Sequence, residues 1–229
     1  DLLADAVLVQ RGDRLAELRG EALRIFGDGR RHHRLDPGDF RTHPGGTLAQ
    51  HLGQPRAFAR PAGEKFGKNV FELERRIPEL SGKQYGVMCN SGSSGLYLAV
   101  ELLDLPNGSE VITSPLTFST DVAPLVRAGL VPVFVDVEPD TFNVDVTKIE
   151  AMVTDRTSAV LVPNLAGNCP DWDAIRTVAD RHGLKVIEDT CDTLGARLHG
   201  TPTGARADLS VTSFSMAHII TCEIGRAHV

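Results

Sequence analysis

Residues Ser158–Asp189 read SAVLVPNLAGNCPDWDAIRTVADRHGLKVIED. The outer pieces, SAVLVPN and LKVIED, are continuous apolar runs rather than alternating ones. Between them DWDAIRTVADRHG carries apolar residues at helical spacing and stops at Gly183, a residue that tolerates the left-handed turn ending many helices. A strand that is apolar on both sides must be covered on both sides. The stretch therefore predicts strand, helix, strand within an α/β three-layer sandwich built on a mostly parallel central sheet.

The same alternation extends in both directions. Towards the N-terminus, NVFELERRIPELSG, SSGLYLAVELLDL, FSTDVAPLVRAG and VDVTKIEAMV read as helices, and QYGVMCN, EVITSP and VPVFVDV as strands. Towards the C-terminus, DLSVTSF reads as a further strand. Before Asn69 the text changes. DLLADAVLVQRGDRLAELRGEALRIF has leucine and alanine at helical spacing, and the Gly-, Pro- and His-rich segment after it reads as a long irregular arm. The predicted organisation is an N-terminal helix and arm over 1–68, an incomplete large domain over 69–222, and a tail over 223–229.

Composition limits the function. The chain has 229 residues, 41% of them hydrophobic, enough to bury a full core. Lys and Arg number 24 against 30 Asp and Glu, a formal charge of −6 without a long block of one sign, which argues against nucleic acid or a membrane surface as partner. No apolar run approaches the roughly 20 residues that span a bilayer, and DLLADAVLVQRGD lacks the marks of a secretory signal, so a cytoplasmic location is expected. Cys89, Cys169, Cys191 and Cys222 lie far apart, which predicts reduced thiols and no metal site. The histidines of RRHH read as a solvated basic loop.

In a doubly covered sheet, ligands bind just beyond the carboxyl ends of the strands. After QYGVMCN, the string Asn90-Ser-Gly-Ser-Ser-Gly95 opens a helix whose free N–H groups and dipole suit an anion, although SGSSG also reads as an ordinary helix cap. After EVITSP comes Phe118, able to lie flat on a planar ring or to join the core. After SAVLVP comes Asn164, able to bond a ring hydroxyl or to make an Asx-turn. LKVIED ends on Asp189, with Asp192 three residues on; a buried acid there would take a protonated pyridine nitrogen, cap the next helix, or pair with an arginine such as Arg206. The last strand delivers Ser213 and then His218. Five such groups at five strand ends form a platform in the order a pyridoxal-phosphate enzyme requires.

Together NSGSSG, SPLTFST, GLVPVFVDVEPDTFNVD, VIEDTCDTLGA and SFSMAHIIT resemble the DegT-type family of fold type I pyridoxal-phosphate enzymes acting on nucleotide-linked 4-keto sugars, from about Phe66 to Cys222. The resemblance implies that Gly92, Ser93, Ser94 and Ser213 bind the phosphate and that Phe118 stacks on the ring. It puts Asp189 on the ring nitrogen, and Asp192 and Asn164 near the ring hydroxyl. Most members are aminotransferases with a lysine five residues after that serine. Here the fifth residue is His218, and no lysine follows Lys185.

An imidazole cannot form a Schiff base, but it can act as a base. The substitution resembles the 3-dehydrase (3-dehydratase) branch, which holds pyridoxamine 5′-phosphate without a covalent link. That branch typically reads SFYPAHHIT, so Ser215, Met216 and Ile219 depart from it. The implied activity is loss of the C3 hydroxyl from a nucleotide-linked 4-keto-6-deoxyhexose, with His218 as base, in deoxysugar or lipopolysaccharide biosynthesis. An aminotransferase-like protein, or an inactive fragment that binds the cofactor, are the alternatives. The resemblance also implies a homodimer with the cofactor near the subunit interface, a smaller C-terminal domain past Cys222 and, in some members, a reductase partner and a [2Fe–2S] cluster, the cluster being held by that later part. The closing EIGRAHV is expected to be non-native, as adapter read-through, and the opening Asp1 to mark truncation.

Overall fold

The computed structural model describes residues 6–10, 68–215 and 217–219. The irregular arm, the RRHH string, Cys222 and the expected tail lie outside the described residues.

The centre is a seven-stranded sheet. In chain order its strands are β1 (Ala6–Gln10), β2 (Tyr85–Cys89), β3 (Glu110–Thr113), β4 (Val131–Phe134), β5 (Thr157–Pro163), β6 (Lys185–Asp189) and, after a short hairpin β7 (Arg197–Leu198) and β8 (Thr201–Pro202), β9 (Leu209–Ser213). Across the sheet the order is β2-β1-β9-β6-β5-β3-β4. The run from β9 to β4 is parallel throughout, as the doubly apolar strand text predicts. The helices are α1 (Lys68–Leu80), α2 (Gly92–Leu102), α3 (Ser119–Arg127), α4 (Val146–Ile149) and α5 (Trp172–His182).

One expectation is corrected. The N-terminal helix does not run through residues 6–10, which form β1, antiparallel to both β2 and β9, with Leu8 opposite Val87 on one side and Val211 on the other. Helical spacing of leucines is a local signal; two strands that each offer a free edge outweigh it, because an interior strand satisfies both rows of backbone groups.

Alternation along the strands sorts the core into two layers. Ala159, Leu161, Val111 and Ile187 face α2 and α3, packing on Leu96, Ala99, Val100 and Leu125. Val160, Val162, Ile112 and Val186 face α4 and α5, packing on Ile149, Trp172, Ile175 and Ala179. α5 begins where the Asp171 carboxylate accepts the N–H groups of Asp173 and Ala174, and ends at Gly183 in the left-handed conformation (φ 66°). The consequence for function lies in β6: Glu188 and Asp189 are sequence neighbours, so they point into opposite layers.

Candidate active site

The carboxyl ends of β2, β6 and β9 meet at one edge of the sheet. Gly92, at the start of α2, lies so close to β9 that a Cβ added to it would sit 3.0 Å from Ser213 Cβ, 3.3 Å from Ser213 Oγ and 3.5 Å from Cys191 Sγ. A larger residue would have to push Ser213 or the helix start aside by a few tenths of an ångström. Ser91 caps the helix, its Oγ accepting the Ser94 N–H at 3.1 Å and lying 3.1 Å from Ser94 Oγ. That leaves the N–H groups of Gly92 and Ser93 as helix-start donors without an intrahelical acceptor. Gly92, Ser93, Ser94 and Ser213 are thus brought together, with the positive end of an 11-residue helix directed at them. The Ser213 hydroxyl accepts the Ser215 N–H at 3.2 Å, which bends the chain away from the sheet toward His218.

Asp189 ends β6 only 8% exposed. Its Oδ1 accepts the Cys191 N–H at 2.9 Å. Burial raises its carboxyl above the usual range; the Cys191 hydrogen bonds and His218 work against that, and Asp192 adds to it. The pairing with Arg206 is not made: Arg206 binds Asp173, Nε to Oδ1 at 2.6 Å, and the Leu198 carbonyl. A buried acid with no cationic side chain hydrogen-bonded to it among the described residues, beside a helix start shaped for an anion, is the set of groups a protonated pyridine bearing a phosphate would satisfy.

Asp192 and His218 line an open cleft of roughly 470 Å³ together with Ala166, Ala217 and Ile219. The Asp192 Oδ2 accepts the Ala166 N–H at 3.1 Å, and its Oδ1 stands 3.8 Å from His218 Nε2. His218 Nδ1 is buried without a partner among the described residues. Phe118 occupies the N-cap position of α3 and is 71% exposed, which removes the alternative that it belongs to the core.

Asn164 departs from expectation. It is 1% exposed, and its carboxamide is committed beneath the platform: Nδ2 donates to Glu188 Oε1 and to Thr193 Oγ1, both at 2.8 Å, and Oδ1 accepts the Trp172 indole N–H at 2.6 Å. Both amide hydrogens are used, so Asn164 does not reach out to a ring. Its partner Glu188 lies in the α5 layer, where burial pushes its carboxyl up to about 7 against the pull of the Asn164 hydrogen bond.

Sequence reasoning also missed Asp121. It stands in the first turn of α3, 0% exposed, accepting a hydrogen bond from the Thr117 hydroxyl. A first-turn aspartate ordinarily reads as a complement to the helix dipole. Burial, and the neighbouring Asp189, raise its carboxyl well above the usual range.

An α/β fold with a mostly parallel central sheet, here with a helix start suited to an anion, a buried acid and an exposed aromatic, matches the architecture of fold type I pyridoxal-phosphate enzymes. The chain belongs to the DegT/DnrJ/EryC1/StrS aminotransferase family, whose model matches residues 59–227. It is 39% identical over 163 residues to the dTDP-4-dehydro-2,6-dideoxy-D-glucose 3-dehydratase of Saccharopolyspora spinosa, covering 68% of this chain and 35% of that protein. To the GDP-perosamine synthase of Caulobacter vibrioides it is 37% identical over 155 residues, covering 68% and 42%. Among solved structures, the protein Spr1654 of Streptococcus pneumoniae in its PLP form matches with a TM-score of 0.65 and 27% identity, over 68% of this chain and 44% of that one; its PMP form matches with the same TM-score and identity over 43% of that chain. The chain spans less than half the length of these relatives. No helix among the described residues is long and apolar enough to cross a membrane.

Proposed function

We propose that this chain is the cofactor-holding part of an enzyme that removes the C3 hydroxyl from a nucleotide-linked 4-keto-6-deoxyhexose, using pyridoxamine 5′-phosphate held without a covalent bond. The observation that carries the reading is His218. It stands five residues past Ser213 and lines the cleft beside Asp192. The lysines with described side chains lie elsewhere: Lys83 donates to the Ala207 carbonyl, Lys148 pairs with Asp145 at 2.9 Å, and Lys185 opens β6, at the opposite end from Asp189.

When bound, pyridoxamine phosphate supplies an amine that condenses with the C4 ketone and a ring that accepts the electron pair released at its C4′ carbon. The chain's own groups do the rest. Gly92, Ser93, Ser94 and Ser213 hold the phosphate at the start of α2. Asp189 keeps the ring nitrogen protonated, so that the ring withdraws electrons. Phe118 would stack on the ring, and Asp192 would serve the ring hydroxyl. His218 removes the C4′ proton, and because imidazole cannot form a Schiff base it never competes with the substrate ketone for the cofactor. The electron pair released at C4′ would then expel the C3 oxygen, which would leave as water with the proton that His218 has taken. The partners that follow from this reading are a nucleotide sugar and a second copy of the chain, with a reductase as a further partner where the bound intermediate is resolved by reduction rather than by hydrolysis.

The test uses the full-length enzyme with pyridoxamine phosphate and a dTDP- or CDP-linked 4-keto-6-deoxyhexose carrying oxygen-18 at C3. Release of the label into water is expected. Retention of the label, with formation of a 4-amino sugar from an amino donor, would instead support an aminotransferase.

A further inference from the structure

Asp121 and Asp189 are two buried carboxyls brought together from different elements, the first turn of α3 and the end of β6. Of the two oxygens of Asp121, Oδ2 accepts the Thr117 hydroxyl, while Oδ1 is buried and has no hydrogen-bond partner among the described residues. The titratable groups facing Asp121 are Asp189 and the Cys191 thiol, from the β6 end; neither is a cation. Beyond Asp189 stand Asp192 and His218, which act on Asp189. Two adjacent buried carboxyls cannot both ionise in such a site.

The environments decide which one keeps the proton. Asp189 accepts the Cys191 N–H and has His218 within electrostatic reach, both of which favour its anion. Among the described residues Asp121 has a single hydroxyl donor and no cation beside it, and it is the more fully enclosed of the two. We propose that Asp121 is a positioning residue kept as a neutral carboxylic acid, its Oδ1–H donating to Asp189 and orienting that carboxylate toward the ring nitrogen of the cofactor. A carboxylic acid in this place does what an amide would do: it gives a hydrogen bond without adding a charge. The orphaned Oδ1 is thereby accounted for as a donor whose acceptor is the Asp189 carboxylate. Burial and the Asp189 anion both raise the Asp121 carboxyl, in agreement with this assignment.

The orienting role rests on the cofactor assignment proposed above; the proton does not, so the two are tested separately. Infrared spectra of the cofactor-free chain at pH 8 are compared with those of Asp121→Asn. A protonated-carboxyl band present in the wild type and missing from the variant is expected; Glu188, which is common to both, cancels in the difference. Identical spectra in that region would overturn the proposal.

Binding of pyridoxamine phosphate then reads the orienting role. Asp121→Asn, which keeps a donor, is expected to bind within about threefold of wild type, and Asp121→Leu, which keeps the volume without the donor, roughly tenfold more weakly, the loss of one hydrogen bond to a charged group. Equal affinity in Asp121→Leu and wild type, both folded by circular dichroism, would overturn it. A wild-type chain that shows the band but takes up no pyridoxamine phosphate contradicts the cofactor assignment and leaves the proton on Asp121.

Discussion

His218 and Asp192 face each other across the mouth of the cleft, Nε2 3.8 Å from Oδ1, while the other oxygen of Asp192 holds the Ala166 N–H at 3.1 Å. One carboxylate thus ties the loop after β5 to the segment that carries the proposed base. Ala166 is left-handed, at φ 51°, a conformation that alanine adopts at a cost. Asp192→Ala removes the acceptor that holds it and is expected to lower stability by about 1 kcal/mol, whereas Asp192→Asn keeps an acceptor and most of that stability. Thermal melts of the two variants check this. Equal losses would mean that the Ala166 bond contributes nothing.

Glu188 makes stability depend on pH. Its folded carboxyl is raised from 4.5 to about 7 by burial, so in the intervening range the folded chain binds a proton that the unfolded chain has released. The contribution of the neutral acid is complete below 4.5 and is lost as pH rises through about 7. Above that the cost reaches roughly 3 kcal/mol. Glu188→Gln, neutral at every pH, is expected to remove this part of the dependence. Urea unfolding at pH 5 and pH 8 measures it, and parallel losses in wild type and variant would contradict the assignment.

Trp172 is the sole tryptophan and is fully buried, with its indole N–H on Asn164 Oδ1. Trp172→Phe leaves that oxygen without its donor and a gap where the indole was. A loss of about 2–4 kcal/mol is expected, from the unsatisfied acceptor and the cavity together. Chemical denaturation followed by circular dichroism reads it.

Gly92 allows α2 to approach Ser213, and Gly92→Ala places a methyl 3.0 Å from Ser213 Cβ. The helix start must move by a few tenths of an ångström, which displaces the donors proposed to hold the phosphate. Pyridoxamine phosphate affinity is expected to fall about tenfold, with a smaller effect on the melting temperature, because helix propensity favours alanine.

The parallel core was legible because its strands advertise burial on both faces and because α5 carries its own start and stop, Asp171 and Gly183. Gly92, Ser93, Ser94, Asp189, Asp192, Ser213 and His218 stand out in the sequence as residues at or just past strand ends, where this architecture gathers ligands, and their assignment to a cofactor remains the proposal made above. β1 was not, since AVLVQ joins β2 and β9 through pairings that no local period reveals. The β7–β8 hairpin left a fainter trace, the turn His199-Gly200, whose positive φ values of 49° and 78° suit a tight two-residue loop. Asn164 was misread because strand-end position says nothing about which layer a side chain enters. Asp121 was invisible because burial of a first-turn acid is decided by a neighbour, Asp189, 68 positions away in the sequence.

The most direct test of an untethered cofactor is reduction with borohydride after loading the full-length enzyme with pyridoxal phosphate, followed by peptide mass spectrometry. The wild type is expected to carry no stoichiometric phosphopyridoxyl adduct, and His218→Lys to acquire one at position 218. A stoichiometric adduct on a lysine of the wild-type chain would contradict the account.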